Sequence, residues 1–205
     1  MPGYMRVKNI IYSKFGKEPW YNHILSYIIQ RYFSIEDRMI ETFRYVHCHP
    51  NNQKTFSYEY ASILRDSGSV FSSVVDRLVK ETSSVSRRLN IKDYLNWLRQ
   101  EVENIHLIAA EINYPLPCTL LVPFNTLKDG NIPKWWTAYN HVKHMEIDKI
   151  HEGNFENALN SVAALAILLA LMEPGGIKIK LFPYIGFFYP KEYMESLLFF
   201  KGASC

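Results

Sequence analysis

The chain has 205 residues, of which 48% are hydrophobic and 21% are charged, a balance that is typical of a folded soluble protein and excludes a disordered one. Its 23 basic and 20 acidic residues leave a net charge of +3, which disfavours a dedicated binder of duplex DNA. The three cysteines indicate no disulfide framework, and no apolar run opens the chain. We therefore expect a cytoplasmic protein without a secretory signal.

Helical spacing dominates the first half of the chain. Apolar residues recur at steps of three and four in PWYNHILSYIIQRYF, which predicts a helix. Ser34 and Asp37, three residues on, form a capping pattern that predicts the start of a second helix at the serine. The stretch HPNNQKT is typical of a turn. Gly68, between two later apolar stripes, is either a tolerated helix glycine or a bend.

A further helix is predicted in NIKDYLNWLRQEV, with Asn90 as its cap and Asp93 at the third helical position. Arg87 and Arg88 precede it in a polar loop within a mildly basic stretch. A solvated surface is the default interpretation of these two arginines. A surface that contacts RNA is the alternative.

The middle of the chain changes character. Prolines and β-friendly residues in LIAAEINYPLPCTLLVPFN predict a short extended or β insertion at about 107–125. Pro133 then occupies the first turn of the next predicted helix. The C-terminal tail, about 174–205, begins with an alternation of polar and apolar residues in IKIKLF that predicts a small strand.

The most apolar segment lies before this tail. Gly153 and Asn154 mark a stop and a fresh cap, and an apolar helix is predicted from there to Met172. The run SVAALAILLALM is too short to cross a bilayer, so we expect a central, nearly fully buried helix and no membrane. The aromatic content and a helix that is apolar all round also predict that a second copy covers part of the surface, in a homodimer.

The segment NIPKWWTAYNHVKH contains the candidate site. On a helix, Trp136, Asn140 and Lys143 share one side, with Tyr139 and His144 at its edges. A histidine can give and take a proton near neutral pH, a lysine can stabilise a developing phosphorane charge, and an asparagine can orient a phosphate. The alternative is a packed helix whose asparagine and histidine are satisfied by neighbouring carbonyls.

Two other groups of residues are weighed as metal ligands. HCH at positions 47–49 has adjacent residues that rarely point at one ion, and His141, His144 and His151 lack a cysteine or carboxylate to complete a site. We therefore expect no metal and no cofactor.

The segments WWTAYNHVKH and GNFENALNSVAALAILLAL resemble a group of bacterial proteins that share a W-W-x-x-Y-N-x-x-K-H signature. HPNNQKTFSYEYASILRDSGSVF and NIKDYLNWL resemble the same group, so the likeness covers most of the chain. The group in turn resembles, more distantly, the HEPN superfamily of helical domains. Many HEPN proteins are metal-independent ribonucleases of toxin–antitoxin, CRISPR and phage-defence systems. Their motif is an arginine and a polar residue followed by a histidine, and it faces a copy of itself across a dimer.

The resemblance implies a mainly α fold, a HEPN-like helical bundle with a minor β element, as a single domain over residues 1–205. Asn140 and His144 match the polar and histidine positions of the motif, whereas Tyr139 stands at the position of its arginine. Two functions follow. The first is a homodimeric binding or scaffold module. The second is an endoribonuclease in which His144 is the acid and base and Asn140 and Lys143 hold phosphate. The residues expected to contact a ligand or RNA are Trp136, Tyr139, Arg87 and Arg88.

Overall fold

The computed structural model describes residues 5–6, 10–84, 87–112, 120–144, 147–173 and 178–187. These residues form a mainly helical protein with a small antiparallel sheet, as predicted. The six α-helices described are α1 (Ile10–Phe15), α2 (Tyr21–Thr42), α3 (Tyr58–Thr82), α4 (Ile91–Glu101), α5 (Lys134–Lys143) and α6 (Phe155–Met172). The four strands described are β1 (Met5–Arg6), β2 (Ile108–Glu111), β3 (Leu120–Leu121) and β4 (Tyr184–Phe187).

Helix α6 lies at the centre of the core. It packs against α1, α2, α3, α5 and β2, and residues such as Leu159, Val162 and Leu169 are at most 3% exposed. The Asn154 side chain caps its first turn by accepting the backbone N–H of Asn157, as the sequence predicted. By length and composition alone α6 could cross a membrane, but 78% of it is buried inside the protein. The expectation of a central buried helix is confirmed.

The predicted helix start at Ser34 is wrong. Helix α2 continues through this serine, whose side chain faces solvent, and ends only at Thr42. The inward stripe of α2 is unbroken there, because Tyr32, Ile35 and Met39 are all buried. This continuous burial outweighs the local capping preference of one exposed serine.

Gly68 is a helix glycine and not a bend, because α3 runs through it without interruption. The ring of Tyr139 on α5 lies so close that a Cβ at position 68 would be 2.5 Å from its Cδ2 atom. Between α3 and α6, the hydroxyls of Ser67 and Ser161 share a buried hydrogen bond of 2.6 Å. Small residues on α3 therefore set how closely α5 and α6 approach it.

The sheet has the strand order β1-β4-β2-β3, and its described pairs are antiparallel. Strands β2 and β3 confirm the predicted β insertion at 107–125. The tail does contain a strand, but the alternating stretch IKIKLF is not it: residues 178–182 form no strand, and β4 begins only at Tyr184. The parts of these two predictions that fall on residues 113–119, 174–177 and 188–205 lie outside the described residues. Strand β3 stands at an edge of the described sheet, which becomes important for the site.

A buried glutamate joins the helices to the sheet. Glu36 on α2 is 0% exposed, and its Oε1 accepts hydrogen bonds from the Leu181 backbone N–H at 2.7 Å and the Tyr32 hydroxyl at 3.0 Å. Burial raises the pKa of Glu36 above its ordinary value of 4.5, although both hydrogen bonds oppose the shift. Asp37 beside it holds Lys180 at 2.7 Å on the surface. Two adjacent acids thus fix the segment that leads into β4.

Candidate functional site

The helix of the WWTAYNHVKH signature is packed into the core along most of its length. Trp135, Trp136 and Tyr139 are each at most 5% exposed, which confirms the expectation that this helix is mostly packed. The Trp135 indole donates a hydrogen bond to the Pro123 carbonyl at 3.0 Å, which fixes the start of α5 against the loop before it. The indole N–H of Trp136 is buried and has no partner among the described residues.

Two of the four residues expected to contact a ligand are therefore core residues. The rings of Trp136 and Tyr139 lie 5.0 Å apart between centroids, and Tyr139 rests on Gly68. Trp136 also meets the ring of Phe71 edge-on. A ligand could reach these two rings only if α5 moved away from α3.

The proposed catalytic residues lie in the last turn of α5. Asn140 is half-buried, Lys143 and His144 are exposed, and the His144 backbone N–H bonds the Asn140 carbonyl at 3.1 Å to end the helix. The Lys143 ammonium lies 5.4 Å from the centroid of the Tyr139 ring, within cation–π range. None of these three residues is among the described residues that line the two cavities below. Chemistry at His144 would therefore take place on an open surface.

Arg87 is held by a carboxylate of the same chain. Its guanidinium bonds both oxygens of Asp93, at 2.8 and 2.5 Å, and Asp93 also accepts the Asn90 backbone N–H at 2.8 Å. The Arg87 hydrogen bond, followed by the Asn90 N–H, lowers the pKa of Asp93 to about 2. Arg87 thus extends the predicted capping box at the start of α4, while Arg88 next to it is exposed.

A concave surface lies at the other end of α5. A cavity of about 480 Å³ opens between the loop after α2, the chain from β3 to α5, and the first turns of α6. Its floor is apolar and comprises Cys48, Leu121, Trp135, Phe155 and Leu159. Its rim is polar and comprises His49, Gln53, Asn125, Lys134, Asn157 and Asn160.

The orientation of the rim amides is set by the backbone. Asn157 donates its Nδ2 to the Glu152 carbonyl at 2.9 Å, and Asn160 donates its Nδ2 to the Glu156 carbonyl at 2.9 Å. Each side chain therefore keeps its Oδ1 as an acceptor. His49 accepts the Asn51 backbone N–H on Nδ1 at 3.2 Å, so its neutral ring carries the proton on Nε2.

The start of α6 is not an open anion site. The backbone N–H groups of Phe155 and Glu156 donate to the carbonyls of Thr55 and Gln53, at 2.8 and 3.0 Å, and the Asn154 side chain takes the next N–H. The donors that usually bind anions at a helix start are therefore already used. Recognition on the α6 side of this cavity therefore rests on side chains.

A second cavity of about 450 Å³ adjoins the first and shares Lys134, Glu156 and Asn157 with it. Glu156 is paired with Lys54 at 2.6 Å. The Glu152 carboxylate on its wall accepts a hydrogen bond from Nδ1 of His141 at 2.8 Å. Within the described ranges no group of three histidine, cysteine, aspartate or glutamate side chains is placed to hold a metal ion.

The sequence reasoning missed this cavity because its walls come from segments about 100 residues apart. One local signal pointed to the cavity. In the stretch NFENALN, three asparagines recur at steps of three before an apolar run. Asn154 caps the helix, whereas Asn157 and Asn160 line the cavity. Amides at that spacing share a helix face, and an otherwise apolar helix has no structural need of them.

The fold and the cavity define a mainly α-helical protein with a small antiparallel sheet and an amide-rimmed pocket. Comparison of the chain with family models, with curated proteins and with solved structures gives no match. The resemblance to the HEPN superfamily therefore stays a prediction.

Proposed function

We propose that this protein is a binding module whose ligand occupies the cavity of about 480 Å³ between α5 and α6. The observation that supports this is the combination of an apolar floor with a rim of oriented polar groups. Sites for small ligands are concave and mostly apolar, have a few fixed polar groups, and measure roughly 300–1,000 Å³. The signature tryptophans serve this module by building its core, and Trp135 forms part of the floor.

A thermal-shift screen against a library of small molecules tests this function. Ligands of the cavity are expected to raise the melting temperature of the wild type, by mass action on the folded state. Asn160→Phe, which places a ring in the cavity, is expected to abolish the shift. Asn140→Phe is the matched control, since Asn140 is also a half-buried helix asparagine but lines neither described cavity. Ligands that stabilise the Asn160 variant as much as the wild type would place binding elsewhere.

We also propose that the module is a homodimer, but the reason differs from the one the sequence offered. Helix α6 is buried within a single copy, so it gives no reason for a partner. Exposed apolar side chains lie instead on two neighbouring segments. Residues 56–58 run beside residues 153–154, and the turn 147–152 leads directly into the latter. These side chains are Phe56, Tyr58, Ile147 and Ile150, with Tyr58 at 89% and Ile147 at 86% exposure. A patch of this kind favours burial against another surface.

Light scattering is expected to give twice the chain mass of 24.0 kDa at micromolar concentrations. The double variant Tyr58→Ser, Ile147→Ser should halve the measured mass. Tyr184→Ser, at an exposed tyrosine of the sheet, should not change it. A wild type that scatters as a single chain contradicts the dimer.

The endoribonuclease is the second candidate, and the exposure of Lys143 and His144 on one helix turn favours it. RNA could approach both side chains without any movement of the core. An assay with single-stranded RNA and EDTA should then show cleavage by the wild type and none by His144→Ala at unchanged stability. If the wild type leaves RNA intact with and without EDTA, this candidate fails and the binding module remains.

A further inference from the structure

Two acceptors stand in a row on the α6 wall of the cavity. Asn157 and Asn160 each donate their Nδ2 to a backbone carbonyl, which leaves the Oδ1 as the acceptor of each amide. Residues three apart on a helix have Cβ atoms roughly 5–6 Å apart. The N–H groups on one side of an extended chain recur at every second residue, about 6.6 Å apart. Two flexible amides can therefore accept from two such N–H groups of one extended peptide.

Another part of the cavity wall is an edge strand of the described sheet. Leu120 and Leu121 of β3 line the cavity, and β3 pairs with β2 on its other side within the described sheet. Successive residues of an antiparallel strand alternate in the direction of their N–H and C=O groups. One of these two leucines thus directs its backbone groups away from β2. An edge that has no second neighbour among the described strands can accept an additional strand.

Charge at the mouth of the cavity favours an acidic end. Lys134 is exposed at the start of α5, and no described carboxylate lies within ion-pair distance of its ammonium. The Glu156 carboxylate is neutralised by Lys54 at 2.6 Å. The net charge that these three side chains contribute is therefore positive. The floor below them, including Phe155 and Leu159, is apolar.

We propose that the cavity binds a short peptide segment in extended conformation. Its backbone N–H groups donate to Asn157 and Asn160, an apolar side chain lies on the floor, and a carboxylate lies at Lys134. This inference rests on the proposed function, because it names the ligand class of the same cavity. A volume of about 480 Å³ holds two to three residues of this kind.

The probe is a tripeptide of leucine, alanine and leucine with an acetylated N-terminus and a free C-terminal carboxylate. Titration calorimetry should give a dissociation constant on the order of 10–100 µM. The N–H groups of the first and third residues point to the same side of the extended tripeptide, and the first is the one farther from the carboxylate. An analogue in which an ester oxygen replaces the N–H of the first residue should bind the wild type about fivefold more weakly. Asn160→Leu should weaken the parent peptide by a similar factor and make it indifferent to the ester. Asn96→Leu, on α4 and outside the lining of both cavities, should behave as the wild type.

A second pair of measurements tests the charge. The C-terminal amide of the same tripeptide should bind the wild type about fivefold more weakly than the acid. Lys134→Gln should remove the difference between acid and amide. Lys17→Gln is the control, because that exposed lysine follows α1, lines neither cavity, and should leave the difference intact.

The outcomes separate the peptide from the cavity. If small molecules from the screen lose binding in the Asn160→Phe variant while the tripeptide binds nowhere, the peptide inference falls and the binding module stands. The tripeptide could also bind while the affinity losses of the ester and amide analogues are the same in every variant as in the wild type. In that case it binds outside this cavity and the inference falls. Loss of the ester effect in Asn160→Leu and of the amide effect in Lys134→Gln, with both controls unchanged, supports it.

Discussion

The inward face of α5 and its last turn belong to one ten-residue helix but have opposite environments. Trp135, Trp136 and Tyr139 are buried against α3 and α6, whereas Lys143 and His144 are exposed. A signature that is continuous in sequence therefore contains two kinds of residue with separate roles. The tryptophans and the tyrosine hold the core together, whereas the last turn is exposed and can meet a partner.

The largest expected effect lies on the inward face. Trp136→Ala should lower the free energy of unfolding by about 3–5 kcal/mol, because a buried indole leaves a cavity that the core can fill only in part. Urea denaturation of the wild type and the variant measures the loss. Lys143→Ala, seven residues further on, should change it by less than about 0.5 kcal/mol. Equal losses in the two variants would remove the distinction between the two regions.

The two tryptophans should differ from each other by one hydrogen bond. Trp135→Phe and Trp136→Phe remove the same volume, but only Trp135 loses a donor to a carbonyl, that of Pro123. Trp135→Phe should therefore cost about 1–3 kcal/mol more than Trp136→Phe, as the buried acceptor loses its partner. Thermal or urea unfolding measures the difference. Two equal costs would mean that the Pro123 bond does not stabilise the fold.

Gly68→Ala tests the close contact between α3 and α5. An alanine favours the helix by about 1 kcal/mol, but its Cβ would meet the Tyr139 ring at 2.5 Å. We expect a net loss of about 1–2 kcal/mol, since overpacking a rigid contact forces the ring or the helix to move. In a Tyr139→Leu background the same alanine should be neutral or stabilising. If the double-mutant cycle shows no coupling between positions 68 and 139, the Tyr139 ring does not contact Gly68.

The smallest expected effect is at His144. Since this side chain is exposed beyond the last turn, His144→Ala should change the free energy of unfolding by less than about 0.5 kcal/mol. A variant that melts clearly earlier would show that His144 is part of the packed region after all.

Local signals in the sequence predicted local structure well. The caps at Asn90 and Asn154 are side-chain to backbone contacts within three residues, so the sequence contains everything they need. The false cap at Ser34 has the same pattern, but burial of residues on both sides carries the helix through it. Local patterns fail where tertiary burial decides, because a cap contributes about 1 kcal/mol and a buried stripe contributes several.

The candidate site was harder to predict than the fold. The signature placed Trp136, Asn140 and Lys143 on one side of a helix, yet the structure buries the first and exposes the last. Helical spacing gives the angle of a residue around the axis but not which neighbour covers it. The cavity needs Gln53, Lys134 and Asn160 together, and no periodicity links three segments so far apart in the chain.

Glu36 gives the whole molecule a calorimetric signature. Because its pKa in the folded state lies above the ordinary 4.5, its stabilising contribution is complete below pH 4.5 and is lost as the pH rises through the folded value. Between those two values unfolding releases a proton to the buffer. The measured heat of unfolding should then differ between buffers in proportion to their enthalpies of ionisation. Glu36→Gln, which cannot titrate, should remove that part of the buffer dependence.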